Sequence, residues 1–313
     1  EGRAGRRRRP KALASAAAMS DEGAGRRATK GQAMERIGVI GLGRMGAAMA
    51  RRYAAEGHAV TGWTRSGRGI AGVASAPDLA ALVAGSDVLI TSLFDDAAVA
   101  EVLGALLACD LETKLIVETS TVVPAVVKTR AERIAAAGAG VVDAPISGGP
   151  ELVAAGECGV FIGGDTAAAT RAEAALAPLS GRIFHVGPLG TGMAMKTINN
   201  AMIQVYIVGL TEQLRVAKRA GLETALTILS GGPGGLPVIR DRIPKILGRD
   251  DSVGFPVSGM AKDHDVFRRV AAELGVETPA LATAEAMFRA ALDAGLSEAD
   301  GAAIMTRAYQ DDA

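Results

Sequence analysis

Three short stretches carry residue types that can do chemistry. In "GPLGTGMAMKTINN" (187–200), Lys196 and Asn200 stand four residues apart at the head of a long apolar run. A helix would stack them on one face. A lysine amine can take or return a proton, and an amide one turn away can orient the group involved. Lys196 is expected in or near the first turn, where a cation opposes the macrodipole at a cost of ~0.3–1 kcal/mol. With partial burial, that placement would lower its pKa and bring the amine closer to working range.

The second stretch, "GLGRMG" (41–46), is GxGxxG directly after an apolar strand and at the start of a helical period. Glycines in that context let backbone N–H groups approach a pyrophosphate at a helix N-terminus. An acid about 20 residues on would hold the ribose 2′-hydroxyl of NAD. Here the second strand ends in Trp63-Thr64-Arg65-Ser66, with no acid. Arg65 can pair with a 2′-phosphate, and Thr64 and Ser66 can hydrogen-bond it, so NADP(H) is expected over NAD(H). The third stretch, "VDAPISGGP" (142–150), places Ser147, Gly148 and Gly149 after a strand. A hydroxyl and exposed N–H groups suit a small carboxylate, although a plain glycine turn reads the same way.

The elements that must position these residues follow from periodicity. Strands are predicted at 37–40, 59–63, 87–93, 114–121, 139–147, 158–164 and 182–188, with helical stretches between several of them. The alternation predicts an α/β fold, a doubly wound and largely parallel sheet of Rossmann type. After Gly192 the period is helical throughout: 193–220, 223–229, 236–247, 257–274, 278–294 and 297–309. The expected organisation is a basic tail at 1–34, a nucleotide-binding domain at 35–192 and an all-α domain at 193–313, for substrate and dimerisation. Clefts at such junctions favour catalysis.

Composition narrows the class. Apolar residues make up 49% of the 313 and aromatics 3%, so the core must be built from Ala, Val, Leu and Ile. No apolar stretch is long and charge-free enough to suggest a membrane span. Cys109 and Cys158 lack metal or redox spacing and are expected as reduced thiols in a cytoplasmic setting. No metal site is expected. Residues 1–33 carry nine Lys/Arg against three acids, whereas the remainder carries 25 against 31. An acidic body is a poor nucleic-acid platform. The tail has no apolar period and is expected to be disordered. An organelle transit peptide, a nucleic-acid-binding arm and translated upstream sequence are all open readings of it.

With these motifs in place, the chain resembles the β-hydroxyacid dehydrogenase family. "GLGRMG", "VETST" (117–121), "DAPISGG" (143–149), "GTGMAMKTINN" (190–200) and "KD" (262–263) occur in the family's order and spacing, over about residues 36–310. The resemblance implies a hydride transfer between nicotinamide and a small β-hydroxy acid or its semialdehyde. It implies Lys196 as general acid/base and Asn200 as a substrate-orienting partner. Ser147, Gly148 and Gly149 would hold the substrate carboxylate, with Thr121 beside the nicotinamide. Gly41, Leu42, Gly43, Arg44, Met45, Gly46 and Leu93 would line the cofactor; Lys262 would reach cofactor or substrate, and Asp263 would position its loop. A homodimer or homotetramer is implied as well. The cationic ring of the oxidised cofactor would add to the depression of the lysine pKa. The chain departs from the family at Pro150 and Glu151 beside the nest, and at His264, read as a helix-surface residue without a role. Its glycine-rich stretch 230–238 leaves the substrate-side loop open. An imine reductase of the same fold, which usually lacks this lysine, and a silent dehydrogenase-like module anchored by the tail are the alternatives.

Overall fold

The computed structural model describes residues 34–240 and 242–310. The expectations for the basic tail therefore lie outside the described residues.

The chain opens with β1 (Ile37–Ile40), α1 (Arg44–Ala55), β2 (Val60–Trp63), β3 (Ala74–Ser75), α2 (Leu79–Gly85), β4 (Val88–Thr91) and α3 (Asp96–Leu106). It continues with β5 (Leu115–Glu118), α4 (Pro124–Ala136), β6 (Gly140–Asp143), β7 (Ile146–Ser147), α5 (Pro150–Ala155), β8 (Gly159–Gly163), α6 (Thr166–Leu176) and β9 (Arg182–Gly187). One sheet runs β3-β2-β1-β4-β5-β6-β8-β7, with β9 on β8. Every pairing from β3 to β6 is parallel; β8 runs antiparallel to β6 and β7. Strands β1, β4 and β5 are buried along their whole length, as the apolar runs require when helices cover both faces. One core packs Met49 and Tyr53 of α1 and the alanines of α6 on one face. The other packs Leu82, Leu103 and Ile134 of α2, α3 and α4. The strand order reverses between β1 and β4, and the crevice at that switch is where open α/β sheets bind ligands.

The predicted strand at 139–147 is two strands. Pro145 has no N–H to give the ladder, so β6 ends at Asp143 and the chain turns before β7. The two-residue β3 has too little pattern to be read in advance.

The helical part comprises α7 (Thr191–Arg219), α8 (Ala225–Gly231), α9 (Pro237–Arg240), α10 (Ile243–Ile246), α11 (Val257–Glu273), α12 (Pro279–Asp293) and α13 (Ala303–Gln310). Its core gathers Ile207 and Leu214 of α7, Met260 of α11, Phe288 of α12 and Met305 of α13. The single helix expected at 236–247 is α9 and α10, because Pro244 at the second position of α10 cannot continue an earlier helix. The last helix starts at Ala303 rather than Ser297. Before it, the Asp300 carboxylate accepts the N–H groups of Ala302, Gly254 and Phe255, a local alternative to helix that ties two loops together. No helix among the described residues is long and apolar enough to cross a membrane.

Candidate active site

The glycine turn joins β1 to α1. Gly41 has φ +91°, and a Cβ there would overlap the Ser92 carbonyl oxygen. A Cβ at Gly46 would overlap the Gly41 carbonyl oxygen, so this glycine lets α1 sit close on the strand. Gly43 is different: a Cβ would meet nothing within 4 Å. Its smallness serves no protein contact and leaves open space at a helix N-terminus. Asp78, Asp95 and Asp165 cap α2, α3 and α6 with their side chains, whereas α1 has no side-chain cap. Uncapped N–H groups, the positive end of the helix dipole and free space fit a pyrophosphate.

Leu42 packs on Gly62 of β2 and faces away from the cleft. Arg44, Met45 and Leu93 line the cleft with Gly43. Thr64, Arg65 and Ser66 leave β2 on a separate, exposed loop. Thr64 Oγ1 bonds the Arg68 carbonyl at 2.9 Å, and Arg65 pairs with Glu101 at 2.9 Å. With the arginine side chain 80% exposed, that pair is worth little and can be exchanged for a ligand phosphate.

The loops after β4 and β5 form the next wall. Glu118, buried at the end of β5, accepts Thr91 Oγ1 at 2.5 Å and the Ser120 N–H at 2.6 Å. Ser120 Oγ in turn accepts the Leu93 N–H at 2.8 Å. Burial pushes the Glu118 carboxyl up to about 7, against the pull of these bonds. Thr121 is held by Lys262, whose Nζ donates to the Thr121 carbonyl at 2.7 Å and to Asp263 at 2.9 Å. Lys262 and Asp263 lie within α11, so the loop expected for Asp263 to position is a helix, and the pair instead joins α11 to the Thr121 loop.

The helix α7 starts at Thr191, which puts Lys196 in the second turn, next to the first. The glycines taken as a loop are its entry. Asp143, at the end of β6, accepts the Gly190 N–H at 2.6 Å and the Met193 N–H at 2.7 Å. A strand carboxylate thus supplies the cap that α7 lacks from its own sequence. Burial pushes this carboxyl up to about 6, and the two N–H groups restrain the rise. Lys196 is buried, and its Nζ donates to the Ile146 carbonyl. Its pKa is lowered chiefly by desolvation, with Lys262 adding to the fall and Asp263 opposing it. The helix dipole is the smaller influence at this depth, since its effect fades beyond the first turn.

Asn199, to which the motif gave no role, donates to Ser147 Oγ at 3.2 Å and to Asn200 Oδ1 at 2.8 Å. Gly149 is the N-cap of α5, and Glu151 bends back until its carboxylate lies against Gly149. His264 is buried, not on the helix surface. Its Nδ1 bonds Gln204 Oε1 at 2.8 Å while Gln204 Nε2 donates to the Met260 carbonyl. Gln204 follows Lys196 and Asn200 on the same face of α7, so the stripe has a third polar member that locks α7 to α11.

One cavity of about 440 Å³ brings together Gly43, Leu93, Thr121, Ser147, Lys196 and Asn200 with Lys262 and Asp263. That volume suits a small ligand. Gly148 and Gly149 lie on its wall, whereas the Thr64–Ser66 loop, Gly41 and Gly46 do not. Among the described residues no cluster of His, Cys, Asp or Glu could hold a metal ion.

Comparison with known proteins shows which family the two-part fold belongs to. Residues 36–187 match the NAD-binding domain of 6-phosphogluconate dehydrogenase. Residues 190–308 match the NAD-binding model of NADP-dependent 3-hydroxyisobutyrate dehydrogenase. An NAD-dependent L-serine dehydrogenase of Pseudomonas aeruginosa is 31% identical over 297 residues, covering 85% of this chain and 95% of the relative. A probable 3-hydroxyisobutyrate dehydrogenase of Mycobacterium bovis is 30% identical over 265 residues, covering 79% and 88%. The solved structure of Mycobacterium tuberculosis 3-hydroxyisobutyrate dehydrogenase with L-serine superposes with a TM-score of 0.78 at 27% identity, over 87% of this chain and 98% of that one. Fold, glycine turn and relatives define an NAD(P)-dependent dehydrogenase or reductase of the type that acts on CH–OH groups. The chain belongs to the β-hydroxyacid dehydrogenase family.

Proposed function

We propose that this enzyme is NADP-dependent and moves a hydride between nicotinamide and a small β-hydroxy acid or the corresponding semialdehyde. The observation that carries the reading is Lys196, a buried amine with a lowered pKa, in the same cavity as the Gly43 turn and the Thr121 loop. Bound nicotinamide supplies or accepts the hydride. The protein's part is the proton: a neutral Lys196 takes it from the substrate hydroxyl on oxidation, and the ammonium returns it to the forming hydroxyl on reduction. Asn200, one turn further on, orients the same oxygen, and Asn199 fixes the Ser147 hydroxyl. Ser147, Gly148 and Gly149 receive the carboxylate, for which the Glu151 side chain must swing off Gly149. Arg44, Met45, Leu93, Lys262 and Asp263 hold or frame the cofactor, and Leu42 packs behind the turn on Gly62.

The NADP preference rests on Arg65 and on the missing acid at the end of β2. We further read residues 35–192 as the nucleotide-binding domain and 193–313 as the substrate and assembly domain. The exposed Ile198, Met202 and Val216 of α7 support a homodimer or homotetramer. The free thiols Cys109 and Cys158 fit a cytoplasmic, reducing setting. The acid excess of residues 34–313 favours a small-molecule partner over nucleic acid.

The test is a panel of 3-hydroxyisobutyrate, tartronate semialdehyde, succinic semialdehyde, glyoxylate and a cyclic imine, each with NADPH or NADP+ and with NADH or NAD+. Turnover of hydroxy acids or semialdehydes with a preference for the phosphorylated cofactor is expected. Turnover of the imine alone would replace the reaction, and a preference for NADH would remove Arg65 from its role.

A further inference from the structure

The cavity that holds Lys196 extends into the helical part, where Arg242, Lys245, Phe255 and Asp300 share its wall with Glu151. Their charges are not equally free. Lys245 pairs with Asp250 at 3.1 Å and bonds Ser252. Asp300 is spent on the three N–H groups of Gly254, Phe255 and Ala302. Glu151 lies back on Gly149 at the start of α5, where a helix N-terminus accommodates its charge. Arg242 is different. Its Nε is sealed from solvent and has no hydrogen-bond partner among the described residues.

The whole side chain makes no hydrogen bond or ion pair among the described residues, so its terminal nitrogens stand on the cavity wall with their donors unspent. The backbone explains why it stands there. The chain breaks between α9 and α10 ahead of Pro244, and Arg242 occupies the N-cap position of α10 with φ −97° and ψ −14°. A cap position is commonly filled by a short polar residue whose side chain serves its own helix. Arginine does not do that, and this side chain goes to the cavity wall instead.

We propose that Arg242 recognises a carboxylate carried on the substrate's tail, beyond the one that Ser147 and the adjacent glycines would hold, so that the preferred substrates are β-hydroxy diacids or their aldehydes. The two terminal Nη groups of the planar guanidinium match a carboxylate in two parallel hydrogen bonds, with the enclosed Nε behind them. The proposal rests on the reaction assigned above for its substrate class, but the anion contact can be read without turnover.

The experiment uses the full chain and two matched pairs of alcohols with NADP+. The diacids 2-(hydroxymethyl)succinate and 2-(hydroxymethyl)glutarate are compared with 2-(hydroxymethyl)butanoate and 2-(hydroxymethyl)pentanoate, in which a methyl replaces the distal carboxylate. At least one diacid is expected to show a kcat/KM tenfold or more above its partner. Arg242→Met should bring that ratio to near one, mainly through KM, and Arg242→Lys should restore part of it. Equal kcat/KM within both pairs for the unaltered enzyme would overturn the proposal, as would a ratio that survives Arg242→Met. In parallel, glutarate and pentanoate are titrated calorimetrically into the NADP+-loaded chain. Glutarate binding that weakens at least tenfold in Arg242→Met supports the contact, and equal binding to both proteins refutes it. Intact, Arg242-dependent glutarate binding without turnover of any alcohol would refute the assigned reaction and leave the anion site standing.

Discussion

Gly192→Ala is the most searching single change. The second residue of α7 lies so close to the sheet that a Cβ would overlap the Phe161 carbonyl oxygen and stand 2.7 Å from the Asp143 carbonyl oxygen and 2.9 Å from Asp143 Oδ2. Both carbonyls are backbone, so no side chain can rotate away. The helix itself must lift by roughly 0.5–1 Å, at the ~1–3 kcal/mol typical of overpacking. Lifting also stretches the Asp143 bonds to Gly190 and Met193, a cap worth about 1 kcal/mol. A total of ~2–4 kcal/mol would lower Tm by roughly 5–10 °C. Lys196 stands four residues along the same helix and moves with it. Misplacing a proton-transfer group by about 1 Å can cost on the order of 100-fold in kcat. NADPH affinity, set mainly at the Gly43 turn and at Arg65, which this change does not touch, should change by less than about twofold, well under the ~1.4 kcal/mol that a factor of ten represents. Differential scanning calorimetry, steady-state kinetics and nucleotide titration read the three quantities separately. A lowered Tm with unaltered kcat would show that this contact does not position the lysine. An unaltered Tm would show that the helix does not rest on the sheet this tightly.

Three further outcomes follow from the same geometry. Lys196→Met should lower turnover by about 10²–10⁴, the usual worth of a general acid/base, with little effect on NADPH binding; in the unaltered enzyme, kcat/KM for alcohol oxidation should rise with pH around a midpoint below 10.5, the ordinary lysine value. Arg65→Ala should weaken NADPH and leave NADH alone, narrowing the preference by about tenfold or more, as competitive titration of the two nucleotides would show. The Glu118 carboxyl, raised from 4.5 to about 7, holds its proton in the folded state across that window, so its share of stability is whole below 4.5 and is lost as pH rises through 7. That share is about 3 kcal/mol. Glu118→Gln should therefore flatten Tm between pH 5 and 8, and an unchanged slope would show that the group does not titrate there.

How much of this was legible in the sequence depends on the reach of each signal. The glycine turn, the buried strands and the long lysine-bearing helix are local, with period and punctuation inside one window, and they were readable. The features that fix the lysine's environment are not local. Asp143 caps α7 from 47 residues upstream, and its motif carries no mark of that task. His264 looked exposed because its partner, Gln204, lies 60 residues away on another helix. Lys196 could be placed only in or near the first turn for the same reason: a helix entered through Gly190 and Gly192 has no conventional cap of its own, so glycine read as loop. Pro244 did signal a break, but the apolar period around it pointed to one helix. Arg242 was silent in sequence, as an arginine is unless the cavity beside it is known.

The clasp of Asp143 on α7 has a mechanical consequence. The lysine's wall of the cleft is welded to the sheet by two carboxylate bonds and a glycine contact, and α7 then runs unbroken for 29 residues, about 43 Å. No hinge separates the amine from the helical core. The facing segment from α8 to α10 is anchored mainly by Leu226, Ile239 and Ile246, with much of the rest exposed. Of the two walls, the segment carrying Arg242 is the less firmly packed, and the one carrying the proton donor is the more firmly held.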